Sequence, residues 1–115
     1  MKPKVQFRLR IHRDEHIAIG PGKVALLEAI AETGSISGAG RQLGMSYRRA
    51  WMLIDEMNRA LTAPAVTTAT GGAHGGGSTL TPVGEQIVQH YRAIESTARV
   101  AAAADIAALT RLLTP

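Results

Sequence analysis

The segment "SISGAGRQLGMSYRRAWMLIDEMNRAL", Ser35 to Leu61, holds two helical patterns separated by Gly44. Ser35 is a candidate N-cap, because its side-chain oxygen can accept from a first-turn N–H. Ile36, Ala39 and Leu43 follow at i, i+3, i+7 and make one apolar stripe on a short helix. Gly38 and Gly40 are poor helix formers, but glycine within a short helix permits close approach by another helix. Gly44 ends the first helix, and Ser46 is placed to cap a longer one. In that second helix Ala50, Leu53, Ile54, Met57 and Leu61 share a narrow stripe. Arg48, Met52 and Asp55 lie opposite, Trp51 and Asn58 flank the stripe, and Tyr47 sits at its edge.

Two helices joined by a tight glycine-containing turn are the signature of a helix-turn-helix. In that motif the N-terminus of the second helix enters the DNA major groove. Here it reads "SYRR", residues 46–49. Ser46 and Tyr47 can donate hydrogen bonds to phosphates or bases. Arg48 and Arg49 can neutralise phosphates or pair bidentately with guanine. Arg41, late in the first helix, is placed to touch the DNA backbone. Trp51 is expected to pack as a wedge that sets the tilt of the second helix, its indole N–H free to reach a phosphate. The same pattern also fits an ordinary α-hairpin with a basic end.

Upstream, "VQFRLRI" (5–11) alternates apolar and polar residues and predicts a half-buried strand, and "HIAIG" (16–20) predicts a short second one. "GPGK" (20–23) is expected to break the chain. "KVALLEAIAET" (23–33) predicts a helix ended by Gly34 at C′. Val24, Leu27 and Ala31 share one of its faces, widened by Leu26 and Ile30.

Downstream, Pro64 lies beyond the second helix of the motif. "AVTTAT" (65–70) and "STLT" (78–81) read as two short strands around a glycine-rich loop, a hairpin with a long tip. A long helical pattern then runs to Leu113, opened by Thr81 as N-cap and Pro82 at the first helical position. A break near Ser96 and Thr97 is compatible with it. This helix is too long and too apolar to lie alone on so small a core. It is expected to pack against a second copy through Ile87, Tyr91, Ile94, Ile106 and Leu109.

The glycine loop "GGAHGGGST" (71–79) invites a nucleotide-binding reading. Gly72 and Gly77 have P-loop spacing, but Ser78 stands where that motif needs a lysine to reach the phosphates. A strand follows the loop directly, so no helix N-terminus sits at it. His12 and His16 straddle a strand end and His74 has no neighbouring ligand, so no metal site is expected. No serine has an activating partner pattern, and no catalytic set or cofactor site emerges.

Composition sets bounds on the rest. The chain has 115 residues, 45% of them hydrophobic but only 3% aromatic, so the core of its one domain must be aliphatic. It has no cysteine, which excludes disulfides and thiolate chemistry. No apolar stretch approaches a membrane span, and a cytoplasmic location is expected. The formal net charge is +4. Residues 1–62 carry ten Lys/Arg against six Asp/Glu, whereas residues 63–115 carry three of each. The excess positive charge therefore lies in the first half, where "RQLGMSYRR" (41–49) carries three arginines and no acid, as suits an anionic partner such as nucleic acid, although a solvated basic surface fits as well.

The pieces "GSIS", "SYRRAW", "IDEMN" and "ATGGAHGGGSTLTPVG" together resemble the DNA-binding domain of the ModE family, the molybdate-dependent transcriptional regulators of bacteria. The resemblance runs from about residue 20 to about 95. More distantly, the serine-rich start of the second helix is similar to the LysR-type regulators. The resemblance implies a winged helix-turn-helix with a dimer-forming terminal helix. It implies that Ser35 and Ser37 lie near the DNA backbone and that Ser46, Tyr47, Arg48 and Arg49 face the groove. It makes Thr70, Gly71, Gly72, His74, Gly75 and Gly76 the wing tip. Two departures accompany it. Members of the family carry C-terminal molybdate-binding domains, whereas this sequence stops at Pro115, so no tight molybdate binding is expected. The wing also has no Lys or Arg, so any phosphate contact there must come from backbone N–H groups.

The expected architecture is mainly α with a small β component. Residues 1–81 form a winged helix-turn-helix with its wing at about 65–81, and residues 82–115 form a C-terminal helical dimerisation segment. The expected activity is sequence-specific binding of a palindromic double-stranded DNA operator by a homodimer, in control of molybdenum-related genes. The competing readings are a protein-interaction module using the C-terminal helix, with the helix-turn-helix as scaffold, and a nucleotide-dependent enzyme using the glycine loop.

Overall fold

The computed structural model describes residues 2–69 and 77–115. Among them are five helices and two two-stranded antiparallel sheets. Strands β1 (Ile11–Arg13) and β2 (His16–Ile19) form an N-terminal hairpin, turned at Asp14 with φ 54°. Helix α1 (Pro21–Thr33) follows at once. The "GPGK" stretch is thus a helix start and not a break. Gly20 is the extended N-cap residue and Pro21 supplies the pre-set φ of the first turn.

Helix α1 is the centre of the molecule. Val24, Leu26, Leu27 and Ile30 are fully buried, and α2 (Ile36–Gln42), α3 (Tyr47–Ala60) and the later helix α4 (Pro82–Ala101) all pack on it. Its buried surface is therefore wider than a single amphipathic stripe, and Ala29 is buried where Ala31 was expected. Each fully buried aliphatic side chain of this kind contributes about 1.5–3 kcal/mol.

The helix-turn-helix forms as its caps dictate. Gly34 ends α1 with φ 74°. The Ser35 hydroxyl accepts from the Gly38 N–H at 2.8 Å, and the Ser46 hydroxyl accepts from the Arg49 N–H at 3.1 Å. Gly44 makes the turn between α2 and α3 with φ 70°. Gly40 is the point of close approach: a Cβ there would lie 3.1 Å from the Met45 carbonyl oxygen and 3.5 Å from the Ala50 Cβ. Ile36, Ala39, Ala50, Ile54 and Met57 join the core of α1, whereas Leu43, expected on the α2 stripe, is exposed.

Strands β3 (Val66–Thr68) and β4 (Ser78–Leu80) pair in the register Val66 to Leu80, Thr67 to Thr79 and Thr68 to Ser78. Thr81 then caps α4 by accepting from the Gly84 N–H, with Pro82 in the first turn. Helix α5 (Ala103–Thr110) continues from α4 across Ala102, whose φ of −99° and ψ of 7° bend the rod. The bend lies past Ser96–Thr97, inside the alanine run. Hydrogen bonds from Ala102 N to Ala98 O and from Ile106 N to Ala102 O, each 2.9 Å, carry the ladder through it.

The expected strand over residues 5–11 needs correction. Only Ile11 joins a ladder. The alternation is nonetheless physical: Phe7 and Leu9 are half-buried, while Gln6, Arg8 and Arg10 are exposed. The apolar side lies on α4 instead of on a sheet. Tyr91 of α4 donates its hydroxyl to the Leu9 carbonyl at 2.9 Å, and Arg99 Nη1 donates to the Val5 carbonyl at 3.2 Å. The Arg99 guanidinium also stacks over the Phe7 ring at 5.3 Å.

The first turns of α4 belong to the core, with Gly84 buried and Ile87 and Val88 packed against it. A Cβ at Gly84 would stand 2.2 Å from the Ala65 carbonyl oxygen, a backbone atom with nowhere to go. Gly84→Ala is expected to lower stability by about 1–3 kcal/mol in urea unfolding. Gly22→Ala, where nothing lies within 4 Å, is the matched control and is expected to be neutral or slightly stabilising.

Candidate nucleic-acid interface

The exposed end of α3 is built from cap chemistry. Ser35 and Ser46 each spend a lone pair on their cap. Each hydroxyl keeps its own hydrogen to donate outward, and an incoming phosphate or base acceptor can take it. Ser37 and Arg41 project from α2 as exposed residues, and Arg48 and Arg49 project from the first turn of α3. The positive end of the α3 dipole points the same way and favours an anion there.

Charge pairing divides the cations into two groups. Arg59 pairs with Asp55 at 3.0 Å, and buried Lys23 lies 3.5 Å from Glu56 while donating to the Ile17 carbonyl. Arg92 binds Glu28 and Glu95, and these hydrogen bonds, Glu28 first, raise its pKa further above the ordinary arginine value. Among the described residues, Arg41, Arg48 and Arg49 donate to no carboxylate. The acids of α3 are therefore matched to scaffold cations, and the cations at its N-terminal end are left for an external anion.

Aromatic surface lies beside these cations. Tyr47 is 57% exposed and Trp51 48% exposed, with Met52 also open. Trp51 flanks the packed stripe and is half exposed. An exposed ring among unpaired cations can cover a sugar or a thymine methyl, as apolar contacts in the major groove do.

The wing is held at its base. Asn58, in the last turns of α3, accepts from the Ala65 N–H at 2.8 Å and donates to the Val66 carbonyl at 3.3 Å. On the other strand, Ser78 N donates to the Gly34 carbonyl at 2.9 Å, tying β4 to the junction of α1 and α2. The wing thereby takes its position from both ends of the helix-turn-helix. The expected wing-tip residues Thr70, Gly71, Gly72, His74, Gly75 and Gly76 lie outside the described residues.

The five residues expected to face a second copy do not form one surface. Tyr91 is 2% exposed and spent inside the chain on Leu9, and its burial, then Glu95, raises its phenol pKa. Ile87 packs against the core. Ile94 and Leu109, at 48% and 67% exposure, stand open on the outer part of the rod, with Ile106 half-buried. Val100, Leu112 and Leu113 add to the exposed apolar surface.

Sequence reasoning missed Lys23 and gave no role to Asn58. Lys23 carries no sequence signal, since a lysine in a first turn is ordinarily solvated. Asn58 carries a weak one, a polar residue at the flank of a packed stripe just before the helix ends.

Comparison with known proteins fits this geometry. The model of the bacterial regulatory helix-turn-helix proteins of the lysR family matches residues 22–85. The molybdenum-pterin-binding protein MopB of Rhodobacter capsulatus is 53% identical over 78 residues, 68% of this chain and 29% of that protein. The molybdenum transport protein ModE of Azotobacter vinelandii is 41% identical over 76% of this chain and 33% of its own length. The DNA-binding transcriptional dual regulator ModE of Escherichia coli K12 is 36% identical over 76% of this chain and 34% of its own. The chain thus spans about a third of the length of the curated relatives it matches. Among solved structures, the CbnR_DBD–DNA complex superposes with a TM-score of 0.57 at 20% identity, covering 76% of this chain and 95% of that one. The full-length regulator LysG of Corynebacterium glutamicum gives 0.59 at 19% identity over 82% of this chain and 30% of that one. These two likenesses establish the winged helix-turn-helix fold.

Asn58→Ala strips the Ala65 N–H and Val66 carbonyl of their side-chain partners. It is expected to cost about 1–3 kcal/mol and to abolish slow hydrogen exchange at the Ala65 amide. Unchanged exchange there would show that the wing base is held by other means.

Proposed function

The chain belongs to the bacterial regulatory helix-turn-helix proteins of the lysR family, and on that premise we propose that it is a homodimeric, sequence-specific DNA-binding regulator of molybdenum-related genes. The observation that carries the DNA-binding reading is the set of unpaired cations Arg41, Arg48 and Arg49 around the exposed, serine-capped start of α3. In this reading Arg48, Arg49, Ser46 and Tyr47 enter the major groove. Ser35, Ser37 and Arg41 hold the adjacent backbone, and Trp51 covers the groove wall. The molybdenum connection is carried over from the names of the MopB and ModE relatives.

The dimer reading is supported by the outer face of α4 and α5. Ala93, Thr97, Ala98 and Ala101 form a shallow small-residue surface around Ile94, where a second helix can approach closely. In α5 no residue is buried within the chain. In this reading Ile94, Ile106 and Leu109, past the turns that build the core, face the second copy. Two copies joined there would set their recognition helices on a palindrome, with half-sites about one helical turn apart.

DNA affinity is expected to fall steeply with salt, because each neutralised phosphate releases counterions. Arg48→Ala with Arg49→Ala is expected to weaken binding to a duplex and flatten its log–log salt dependence. Unchanged affinity in a fluorescence-anisotropy titration would refute the placement of α3. Ile94→Asp with Leu109→Asp is expected to convert a dimer to a folded monomer in sedimentation equilibrium. A wild-type chain that sediments as a monomer at all concentrations would refute the dimer.

A further inference from the structure

The N-terminal arm has features the recognition helix does not explain. Residues 5–10 join no sheet, yet they are pinned to α4 at the Val5 and Leu9 carbonyls. Phe7 and Leu9 turn toward α4 and are half-buried. Arg8 and Arg10, between and after them, are exposed. Both line a cleft of about 530 Å³, whose wall also includes Gly20, Pro21 and Gly22 at the start of α1. Arg8, Arg10 and Arg49 line it together with Lys23, Glu15 and Glu56, so the arm and α3 share one cleft.

Among the described residues, the acids of this cleft form no salt bridge with those three arginines. Glu56 lies beside Lys23, and Glu15 makes no salt bridge with a described residue. Arg8 donates only to Gln6, at 3.1 Å, and Arg10 donates to no carboxylate among the described residues. The hydrogen bonds from Tyr91 and Arg99 tether the arm's backbone, which lowers the entropy cost of an anion binding to it.

We propose that this arm is a second DNA-contacting element, in which Arg8 and Arg10 bind backbone phosphates flanking the groove that α3 enters. The inference rests on the DNA-binding reading of α3 and adds to it a contact outside the helix-turn-helix and the wing. The ligand is the phosphodiester of double-stranded DNA. Contacts of this kind position the protein and add affinity without reading sequence.

The test compares salt dependence of binding of the full chain to a 30-base-pair duplex of random sequence. Arg8→Ala with Arg10→Ala is expected to reduce the log–log slope by roughly 1.8, two phosphate contacts. Arg8→Lys with Arg10→Lys is expected to restore it, and the loss is expected to add to that of Arg48→Ala with Arg49→Ala. Arg111→Ala, at the far end of the chain after α5, is the control for long-range charge and is expected to leave the slope unchanged. An unaltered slope in the arm variant, with the α3 variant impaired, overturns the arm proposal alone. A wild-type chain that binds no duplex overturns both readings. Inorganic phosphate at matched ionic strength is expected not to compete. Competition lost with the arm variant would make the cleft a free-anion site and overturn the proposal.

Discussion

One residue, Ala65, joins the three working parts of the molecule. Its N–H is taken by Asn58 of the recognition helix. Its carbonyl accepts from the Thr81 N–H at 2.9 Å and lies against Gly84, where no side chain fits. Its methyl is fully buried in the core, and its chain continues directly into β3. The recognition helix, the wing and the long C-terminal helix therefore meet at one point. Buried backbone polar groups must be satisfied, and here the partners that satisfy them come from separate elements. The relative placement of reader, wing and rod is set by that requirement more than by the strength of any one contact.

The electrostatics follow the same division between scaffold and surface. Where cations hold the fold together they are paired: Lys23 with Glu56 and the Ile17 carbonyl, Arg92 with Glu28 and Glu95. Arg13 also donates to the Ala60 carbonyl at 3.3 Å, satisfying the last turn of α3. At the start of α3 and along the arm the cations are exposed and unmatched by described carboxylates. Exposed ion pairs contribute little stability, so pairing these arginines internally would gain the fold almost nothing. Leaving them unpaired keeps them available to phosphates.

Local chemistry made much of this architecture legible in the sequence. Ser35, Ser46 and Thr81-Pro82 announce their helices because capping is decided within four residues, and Gly34 and Gly44 announce the ends because left-handed φ favours glycine. The α3 stripe was legible because α3 packs on one side only. Four features were not, the first three because they depend on distant parts of the chain. Alternation over residues 5–11 reports two faces but not whether a strand or a helix lies alongside. Tyr91 and Ile87 look like interface residues until the N-terminal arm and the core are seen to cover them. Ala29 replaces Ala31 because α1 is enclosed by several neighbours. The bend at Ala102 falls in an alanine run whose propensity opposes any break. In the interface, residue types and spacing gave the cluster on α3, but only the fold shows that Arg8 and Arg10 share its cleft.

The central claim is that α3 presents a sequence-reading surface to the major groove. Selection of bound duplexes from a random pool tests it most directly, because binding, sequence preference and symmetry are read together. The expected result is enrichment of an inverted repeat with half-sites about one helical turn apart. A recovered pool indistinguishable from the input would contradict it.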